Sequence, residues 1–155
     1  MMCLICQRIE EIQEGQNPYF VAELSTGYLV LGDHQHFQGY CLFLCKEHVQ
    51  ELDQLEIPFR NQFLSEMADM AQIVKEVFQA DKMNIESLGN GDAHLHWHLF
   101  PRRSGDLASY GHDGKGPVWW YPMELMYSDE ARITQKQLEE WKAALHKALE
   151  KTSRN

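Results

Sequence analysis

The stretch HLHWHLFPR, residues 94–102, is the most informative part of this chain. Histidines alternate in it with large apolar residues, which is the period-two pattern of a strand with one buried face. Such a strand points His94, His96 and His98 to one side, with neighbouring side chains about 6.5–7 Å apart. One buried histidine is usually a hydrogen-bonded core residue, but three in a row need partners, a metal or a substrate. The stretch therefore predicts a functional site built on a strand.

Length, charge and hydropathy limit what the chain can be. Its 155 residues suit one domain, which we expect over 1–155, with a core over 1–103 and a loop and helical extension over 104–155. The net charge of −9 argues against a nucleic-acid polymer as the partner, since neutralising phosphates needs a basic surface. No apolar run reaches the roughly 20 residues of a membrane helix, so no membrane partner is expected. Because the N-terminus lacks the long apolar region of a signal peptide, we expect a cytoplasmic protein.

The apolar pattern along the rest of the chain predicts an α+β fold. It indicates five strands, at residues 19–24, 28–31, 40–45, 83–88 and in the histidine stretch. It also indicates three helices, at residues 5–12, 58–80 and 134–151. The last helix opens with a capping box formed by Thr134 and Gln137. A tight turn at 89–92 leads into the histidine strand, and the order predicts an antiparallel meander with the long helix across one face.

The four cysteines are expected to be thiols or metal ligands, because disulfides are rare in a reducing cytoplasm. Cys3 and Cys6 form a Cys-x-x-Cys pair at the start of the chain. This pair alone is a weak signal, since a redox motif of that spacing needs a βαβ context that is missing here. Cys41 and Cys45 lie on one face of a strand and are predicted to be small buried residues.

At residues 94–100 the sequence resembles the histidine triad (HIT) family of nucleotide hydrolases and transferases. The family motif, His-apolar-His-apolar-His-apolar-apolar, is met at every position. The resemblance covers about residues 1–103 and includes the Cys-x-x-Cys pair, the strand that leads to His48, the long helix and Asn84. It implies the HIT-like fold, an antiparallel sheet of about five strands with one long helix and a C-terminal helix. It also implies a homodimer.

The resemblance implies a reaction and assigns residues to it. His96, the middle histidine, would attack the α-phosphorus of a nucleotide, and water would cleave the nucleotidyl-histidine that forms. His94 and His98 complete the catalytic set, with His98 stabilising the phosphate and moving a proton to or from the leaving group. The expected substrate is a diadenosine polyphosphate or a nucleoside phosphoramidate. No organic cofactor is expected.

Four further side chains are candidate substrate contacts. Asn84 and Asn90 are expected near the phosphates, and Asp33 at the ribose. Arg102 would contact phosphate, unless it is simply a solvated arginine at the end of the strand.

The resemblance further implies a structural zinc, because the matching positions bind zinc in some bacterial members of the family. The four residues are Cys3, Cys6, His48 and His94, whose two thiolates and two imidazoles satisfy a closed tetrahedral site. In the alternative, Cys3 and Cys6 are free thiols and His94 makes an ordinary hydrogen bond.

Three features depart from the family pattern. Most members carry a fourth histidine where this chain has Tyr40, which cannot serve as the same acid, base or donor at neutral pH. The loop before the triad is shortened to residues 90–93 and lacks the family's phosphate-holding side chains, while Asp92 adds a negative charge there. His98 stands where the hexose-phosphate uridylyltransferase branch has a glutamine, which favours hydrolysis over transfer.

Two alternatives to a nucleotide hydrolase with a covalent intermediate stay open. The chain could be a nucleotide-binding, zinc-stabilised scaffold without turnover, which Tyr40 and the short loop would favour. It could also be a metal-dependent hydrolase whose three triad histidines hold the zinc, although one strand spreads them over more than about 12 Å.

Trp119 and Trp120, in the glycine-rich loop, could cover a pocket or a hydrophobic patch.

Overall fold

The computed structural model describes residues 2–153 of the chain. Its sheet contains the antiparallel strands β1 (Phe20–Glu23), β2 (Gly27–Leu31), β3 (Cys41–Cys45), β4 (Lys82–Glu86) and β5 (His96–Arg102). Its helices are α1 (Leu4–Gln13), α2 (Ile57–Phe78), α3 (Met123–Met126) and α4 (Gln135–Ser153). The expected α+β fold, with five strands, one long helix and a C-terminal helix, is thus confirmed. No helix in this described part is long and apolar enough to cross a membrane.

The strand order is β1-β2-β3-β5-β4, so the histidine strand lies inside the sheet. The predicted simple meander, which would leave that strand at the edge, is wrong in this respect. β3 and β4 both run antiparallel to β5 and therefore parallel to each other, and parallel strands need a long crossover connection. The 22 residues of α2 provide this crossover, and β5 fills the position between the two parallel strands.

The main hydrophobic core lies between the sheet and α2, with α4 packed beside α2. Phe43, Phe63 and Leu99 have no exposed surface in this core, and Cys41 and Cys45 are buried in it as predicted. Side chains of β5 alternate between two faces, and the face that carries Leu99 packs in this core. The opposite face of β5 is left to His96, His98 and the residues that follow them at spacings of two.

Two segments pack on this opposite face of the sheet. At one end α1 packs on β2 and β3, and the buried residues there are Ile5, Ile9, Tyr28, Val30 and Leu44. At the other end the segment that follows β5 folds back over it, and the buried residues are Phe37, Tyr40, Phe100, Leu107, Val118 and Met126. The polar part of the face lies between these two apolar clusters.

The predicted capping box begins α4. The N–H of Thr134 donates to Oε1 of Gln137 at 3.0 Å, and the N–H of Gln137 donates to the Thr134 hydroxyl at 3.1 Å. These reciprocal bonds satisfy two main-chain donors that the first helical turn leaves without partners.

A buried carboxylate on α2 holds the hairpin between β1 and β2. Glu66 is 7% exposed, and its carboxylate accepts hydrogen bonds from the main-chain N–H and the hydroxyl of both Ser25 and Thr26. Gln62 donates a longer bond of 3.3 Å to the same group. Burial opposes ionisation of Glu66, but these donors outweigh it and hold the pKa of the carboxyl below its usual range.

We expect Glu66→Ala to lower the free energy of unfolding by about 2 to 3 kcal/mol, because the hairpin donors lose a charged acceptor. Urea denaturation at neutral pH measures the difference, and Gln62→Ala, which removes only the long bond, should stay within about 0.5 kcal/mol of wild type. Since folding lowers the pKa of Glu66, its contribution is present at neutral pH and is lost as the pH falls through that lowered value. Equal stability of Glu66→Ala and wild type would contradict this role.

Candidate active site and metal-binding cluster

His94 lies just before β5, and its ring has different neighbours from those of the other two histidines of the motif. Its ring is buried, and its Nε2 lies 2.7 Å from the carbonyl oxygen of Cys45, at the end of β3. A carbonyl only accepts, so Nε2 carries the proton and Nδ1 keeps a free lone pair. The intervening Leu95 and Leu99 are buried in the main core and Trp97 packs against it, as the alternation predicts. Regular pairing of the strand begins at His96, opposite Leu44.

Nδ1 of His94 faces the other three predicted metal ligands. It lies 3.6 Å from Sγ of Cys3, 3.4 Å from Sγ of Cys6 and 3.1 Å from Nδ1 of His48. All four ligand atoms lie within 4.8 Å of one another. A tetrahedral zinc, with bonds of about 2.3 Å to sulfur and about 2.0–2.1 Å to nitrogen, would place sulfur and nitrogen ligands about 3.5 Å apart. The four residues therefore form a cluster that could hold a metal.

The local fold around α1 brings both sulfurs of this cluster to one side. Cys3 is the N-cap of α1, and its Sγ accepts a hydrogen bond of 3.4 Å from the N–H of Cys6. Residues three apart at the start of a helix lie on the same side of it, so both thiols face His94. His48 is the third residue after β3, and its Nδ1 lies 3.2 Å from Sγ of Cys6.

His96 begins β5, and its orientation is set by the residue two positions before it. The buried ring places Nδ1 2.6 Å from the carbonyl oxygen of His94, so Nδ1 donates and Nε2 keeps the lone pair of the neutral ring. Nε2 faces Nε2 of His98 at 3.1 Å. His96 thus presents an unprotonated nitrogen, which a nucleophile needs.

Tyr40 holds the other nitrogen of His98. Its phenol oxygen lies 2.6 Å from Nδ1, and its ring stacks on Phe100 with centroids 4.1 Å apart. Burial raises the pKa of the Tyr40 hydroxyl well above its usual range, so the phenol keeps its proton and donates to Nδ1. His98 then carries its own proton on Nε2, towards His96. Burial also lowers the pKa of His98 to about 4, so this ring is neutral at pH 7.

The sequence predicted no role for Tyr40, and the expectation that it could not replace the family's histidine as a donor is wrong, because its hydroxyl donates to His98. A signal was present in the alternation of β3, because Tyr40 and Leu42 fall on one face and Leu42 pairs with His98 across the sheet. Reading it required knowing that β3 and β5 are neighbours, and the predicted meander did not place them side by side.

His96 and His98 lie in the wall of a pocket of about 280 Å³. The polar residues Asp33, Tyr40 and Asp92 also line it, beside apolar residues of α1 and β2. An apolar wall with a few convergent polar groups is typical of a small-molecule site. A wider groove of about 850 Å³ runs along β4 and the loop that follows β5, but it includes neither His96 nor His98. We therefore place the candidate site in the smaller pocket, which Asp33 also lines; its contact with a ribose stays a prediction.

Asn84 and Arg102 lie together, as hydrogen-bond partners of each other, and Arg102 is also bound to the loop after β5. Arg102 is 8% exposed, and its Nε and Nη2 donate to the two carboxylate oxygens of Asp106 at 2.8 and 2.9 Å. Its Nη1 donates to Oδ1 of Asn84 at 2.8 Å and to the carbonyl of Gly116 at 2.9 Å. The interpretation of Arg102 as a solvated arginine is therefore wrong. In this structure both residues anchor the loop, and their contact with phosphate stays a prediction.

Two other predicted features border the histidines. Asn90 is exposed in the short loop before β5 and shares a recess of about 110 Å³ with His96. Of the two tryptophans, Trp119 lies edge-on to His98 with ring centroids 5.9 Å apart, and its Nε1 donates to Glu86 at 2.6 Å. Trp120 is 45% exposed. The sequence could not distinguish the two, because no regular pattern governs that loop.

Known proteins share this fold and part of this sequence. The sequence profile of the HIT domain family matches residues 16–105, whereas no curated protein sequence matches. A histidine triad protein from Marinobacter aquaeolei VT8 is 25% identical over 85% of this chain and 88% of its own, with a TM-score of 0.70. A Zn-bound histidine triad family protein from Mycobacterium smegmatis is 21% identical over 99% and 97% of the two chains, with a TM-score of 0.67.

A third solved structure, a histidine triad protein from Bradyrhizobium japonicum, is 22% identical over 83% of this chain and 88% of its own, with a TM-score of 0.69. These likenesses show the same α+β fold. The family profile covers more than half of the chain and includes all three histidines of the motif. The chain belongs to the HIT domain family, whose members bind nucleotides and are generally nucleotide hydrolases or transferases.

Proposed function

We propose that this protein is a nucleotide hydrolase that cleaves at the α-phosphate of a nucleotidyl substrate, through a nucleotidyl-histidine intermediate on His96. The observation that carries the proposal is the 2.6 Å hydrogen bond from Nδ1 of His96 to the carbonyl of His94, because it leaves Nε2 free to attack. Membership of the HIT family supports a nucleotide as the substrate, and the adjoining pocket gives it a place to bind.

In the proposed first step, the Nε2 lone pair of His96 forms a bond to the α-phosphorus. The bond from phosphorus to the leaving group breaks, and its electron pair departs with that group. The phosphorylated ring carries a positive charge, which the Nδ1–H shares with the carbonyl of His94. In the second step, water attacks phosphorus and gives a proton to solvent. The ring departs as neutral imidazole, because Nδ1 has kept its proton throughout.

The neighbouring side chains have separate tasks in this proposal. The Nε2–H of His98 points at Nε2 of His96, so it would donate to the phosphate once the nitrogen–phosphorus bond forms. Asp33 would accept hydrogen bonds from ribose hydroxyls, since an ionised carboxylate only accepts. Asn90, beside His96, would donate to a phosphate oxygen. Asn84 and Arg102 would act through the loop that they anchor.

One observation favours a second candidate, the nucleotide-binding scaffold without turnover. Asp92 lines the same pocket as the two histidines, and a carboxylate there weakens the binding of a phosphate chain. The third possibility, zinc held by the three triad histidines, has less support. Nδ1 of His94 faces the cysteines, whereas His96 and His98 face each other.

We further propose that the Cys3, Cys6, His48 and His94 cluster holds zinc. The Nε2–H of His94 donates to the Cys45 carbonyl, which is the kind of outer hydrogen bond that orients a ligating imidazole. With four protein ligands the site is closed, so the metal would supply a cross-link between the N-terminus and the start of β5 rather than reaction chemistry. The cluster's geometry and the Zn-bound histidine triad protein of Mycobacterium smegmatis support this assignment.

We expect His96→Ala to lower AMP release from diadenosine tetraphosphate and from adenosine 5′-phosphoramidate by about 10⁴-fold or more, because the attacking nitrogen is gone. Chromatography of the products measures the rate for whichever substrate the wild type cleaves. His146→Ala, which removes an exposed histidine of α4, is the control and should keep the wild-type rate. Activity that survives in His96→Ala would rule out the covalent mechanism. If the wild-type protein binds nucleotide but releases no AMP, the result would favour the scaffold without turnover.

We expect the purified protein to contain about one zinc ion per chain, and Cys6→Ser to lose it, because a hydroxyl is a poor zinc ligand. Elemental analysis measures the metal content. His96→Ala should retain the zinc, whereas a site made of the three triad histidines would lose it in that variant. Cys41→Ala removes a buried thiol outside the cluster and serves as the matched control. A full zinc content in Cys6→Ser would contradict the assignment.

A further inference from the structure

We propose that Tyr40 makes His98 a fixed hydrogen-bond donor and not a proton source. The enzyme would therefore cleave nucleotidyl substrates whose leaving group departs as a weakly basic oxyanion, and discriminate against those whose leaving group is an amine. This inference rests on the proposed function and specifies the substrate class of the same site.

Three hydrogen bonds run in one direction across the site. The Tyr40 hydroxyl donates to Nδ1 of His98 at 2.6 Å, and Nε2–H of His98 donates to Nε2 of His96 at 3.1 Å. Nδ1–H of His96 then donates to the carbonyl of His94 at 2.6 Å. The chain ends at a group that only accepts, and each neutral imidazole has one proton, so every donor and acceptor in it is determined.

The position of Tyr40 is as fixed as its hydrogen bond. One face of its ring stacks on Phe100, which has no exposed surface. The backbone of Gly32 packs so close that a Cβ there would lie 2.5 Å from Cδ2 of Tyr40. The main-chain oxygen of Tyr40 accepts bonds from the N–H of Gly32 and from Nε2 of Gln35. The stacking on Phe100 and the close approach of Gly32 therefore hold the phenol beside His98.

The surroundings of Tyr40 disfavour a phenolate. The side chain is 6% exposed, and the nearby acidic groups include Asp33 and Glu86. Burial first, and then these acidic groups, hold the pKa of the hydroxyl well above its usual range. Among the described residues, Arg8 on α1 is the one arginine or lysine that lines the pocket. Proton transfer out of Tyr40 would thus create a buried anion among carboxylates.

This constraint decides which leaving groups can depart. If His98 gave its Nε2 proton to a leaving group, one of two unfavourable anions would form. Either His98 would become an imidazolate, or the Tyr40 proton would move to Nδ1 and leave the disfavoured phenolate. An amine leaves phosphorus only with an added proton, because the electron pair of the broken P–N bond would otherwise form an amide anion. A polyphosphate oxygen takes the electron pair of the broken P–O bond without a proton. His98 then needs only to donate a hydrogen bond.

The test compares substrates that share an adenylyl group and differ in the leaving group. We use diadenosine tetraphosphate, adenosine 5′-phosphoramidate and a series of adenosine 5′-aryl phosphates made from phenols of graded acidity. Wild type should cleave the anhydride with a kcat/KM at least about 100-fold above that for the phosphoramidate. This ratio is expected because general-acid catalysis, which the phosphoramidate needs and His98 does not supply, contributes about that factor. Its kcat/KM for the aryl series should fall steeply as the phenol becomes more basic.

Two variants of Tyr40 separate positioning from structure. Tyr40→His places a ring that gives and takes protons near neutral pH, so it should raise the phosphoramidate rate relative to the anhydride by about 10-fold or more and flatten the aryl series. Tyr40→Phe should lower kcat for every substrate and keep their ranking. Tyr110→Phe removes a hydroxyl from the same aromatic cluster and should leave the ranking unchanged.

The outcomes distinguish this inference from the function on which it rests. A wild type that cleaves the phosphoramidate as fast as the anhydride, or an aryl series that is flat, would overturn the inference while the hydrolase assignment stands. AMP release from none of the substrates would overturn both. If Tyr40→His does not fold, the wild-type series decides alone, since it needs no variant.

Discussion

Two main-chain carbonyls decide what each histidine of the motif can do. The carbonyl of Cys45 takes the Nε2–H of His94 and turns its Nδ1 to the cysteines. The carbonyl of His94 takes the Nδ1–H of His96 and turns its Nε2 to the pocket. A neutral imidazole has one proton, so one bond to an acceptor settles the state of both ring nitrogens. Two histidines only two residues apart are thereby suited to the two different tasks proposed for them, metal ligation and nucleophilic attack.

These carbonyls stay in place because the sheet holds the strands that carry them. β5 lies between β3 and β4, and the fully buried Leu99 fixes its other face in the core. The crossover through α2 is what puts the histidine strand inside the sheet rather than at its edge. At the far end of β5, the paired charges of Arg102 and Asp106 hold the loop whose Trp119 borders His98. A rigid frame of this kind pre-organises a site before any substrate binds.

The sequence was sufficient for the local features and for the residues of the cluster, and it failed where a distant neighbour decides. Period-two alternation predicted which residues of this stretch face the core, but the hydrogen bond that fixes the His94 ring depends on where β3 ends, 49 residues earlier along the chain. The hydrogen bond of Tyr40 was not predicted because its partner, His98, lies 58 residues away on a strand that the predicted order did not place beside it. The burial of Arg102 depends on Asp106 and Gly116, in a loop with no regular pattern.

The most direct test of this division of labour is to determine which ring nitrogen of each histidine carries the proton. Long-range ¹H–¹⁵N NMR spectra of the full chain at neutral pH report it, with single histidine substitutions to assign the signals. The arrangement predicts Nε2–H for His94 and His98 and Nδ1–H for His96. A neutral His96 with its only proton on Nε2 would contradict the central claim, because the nitrogen that faces the pocket would then have no lone pair with which to attack phosphorus.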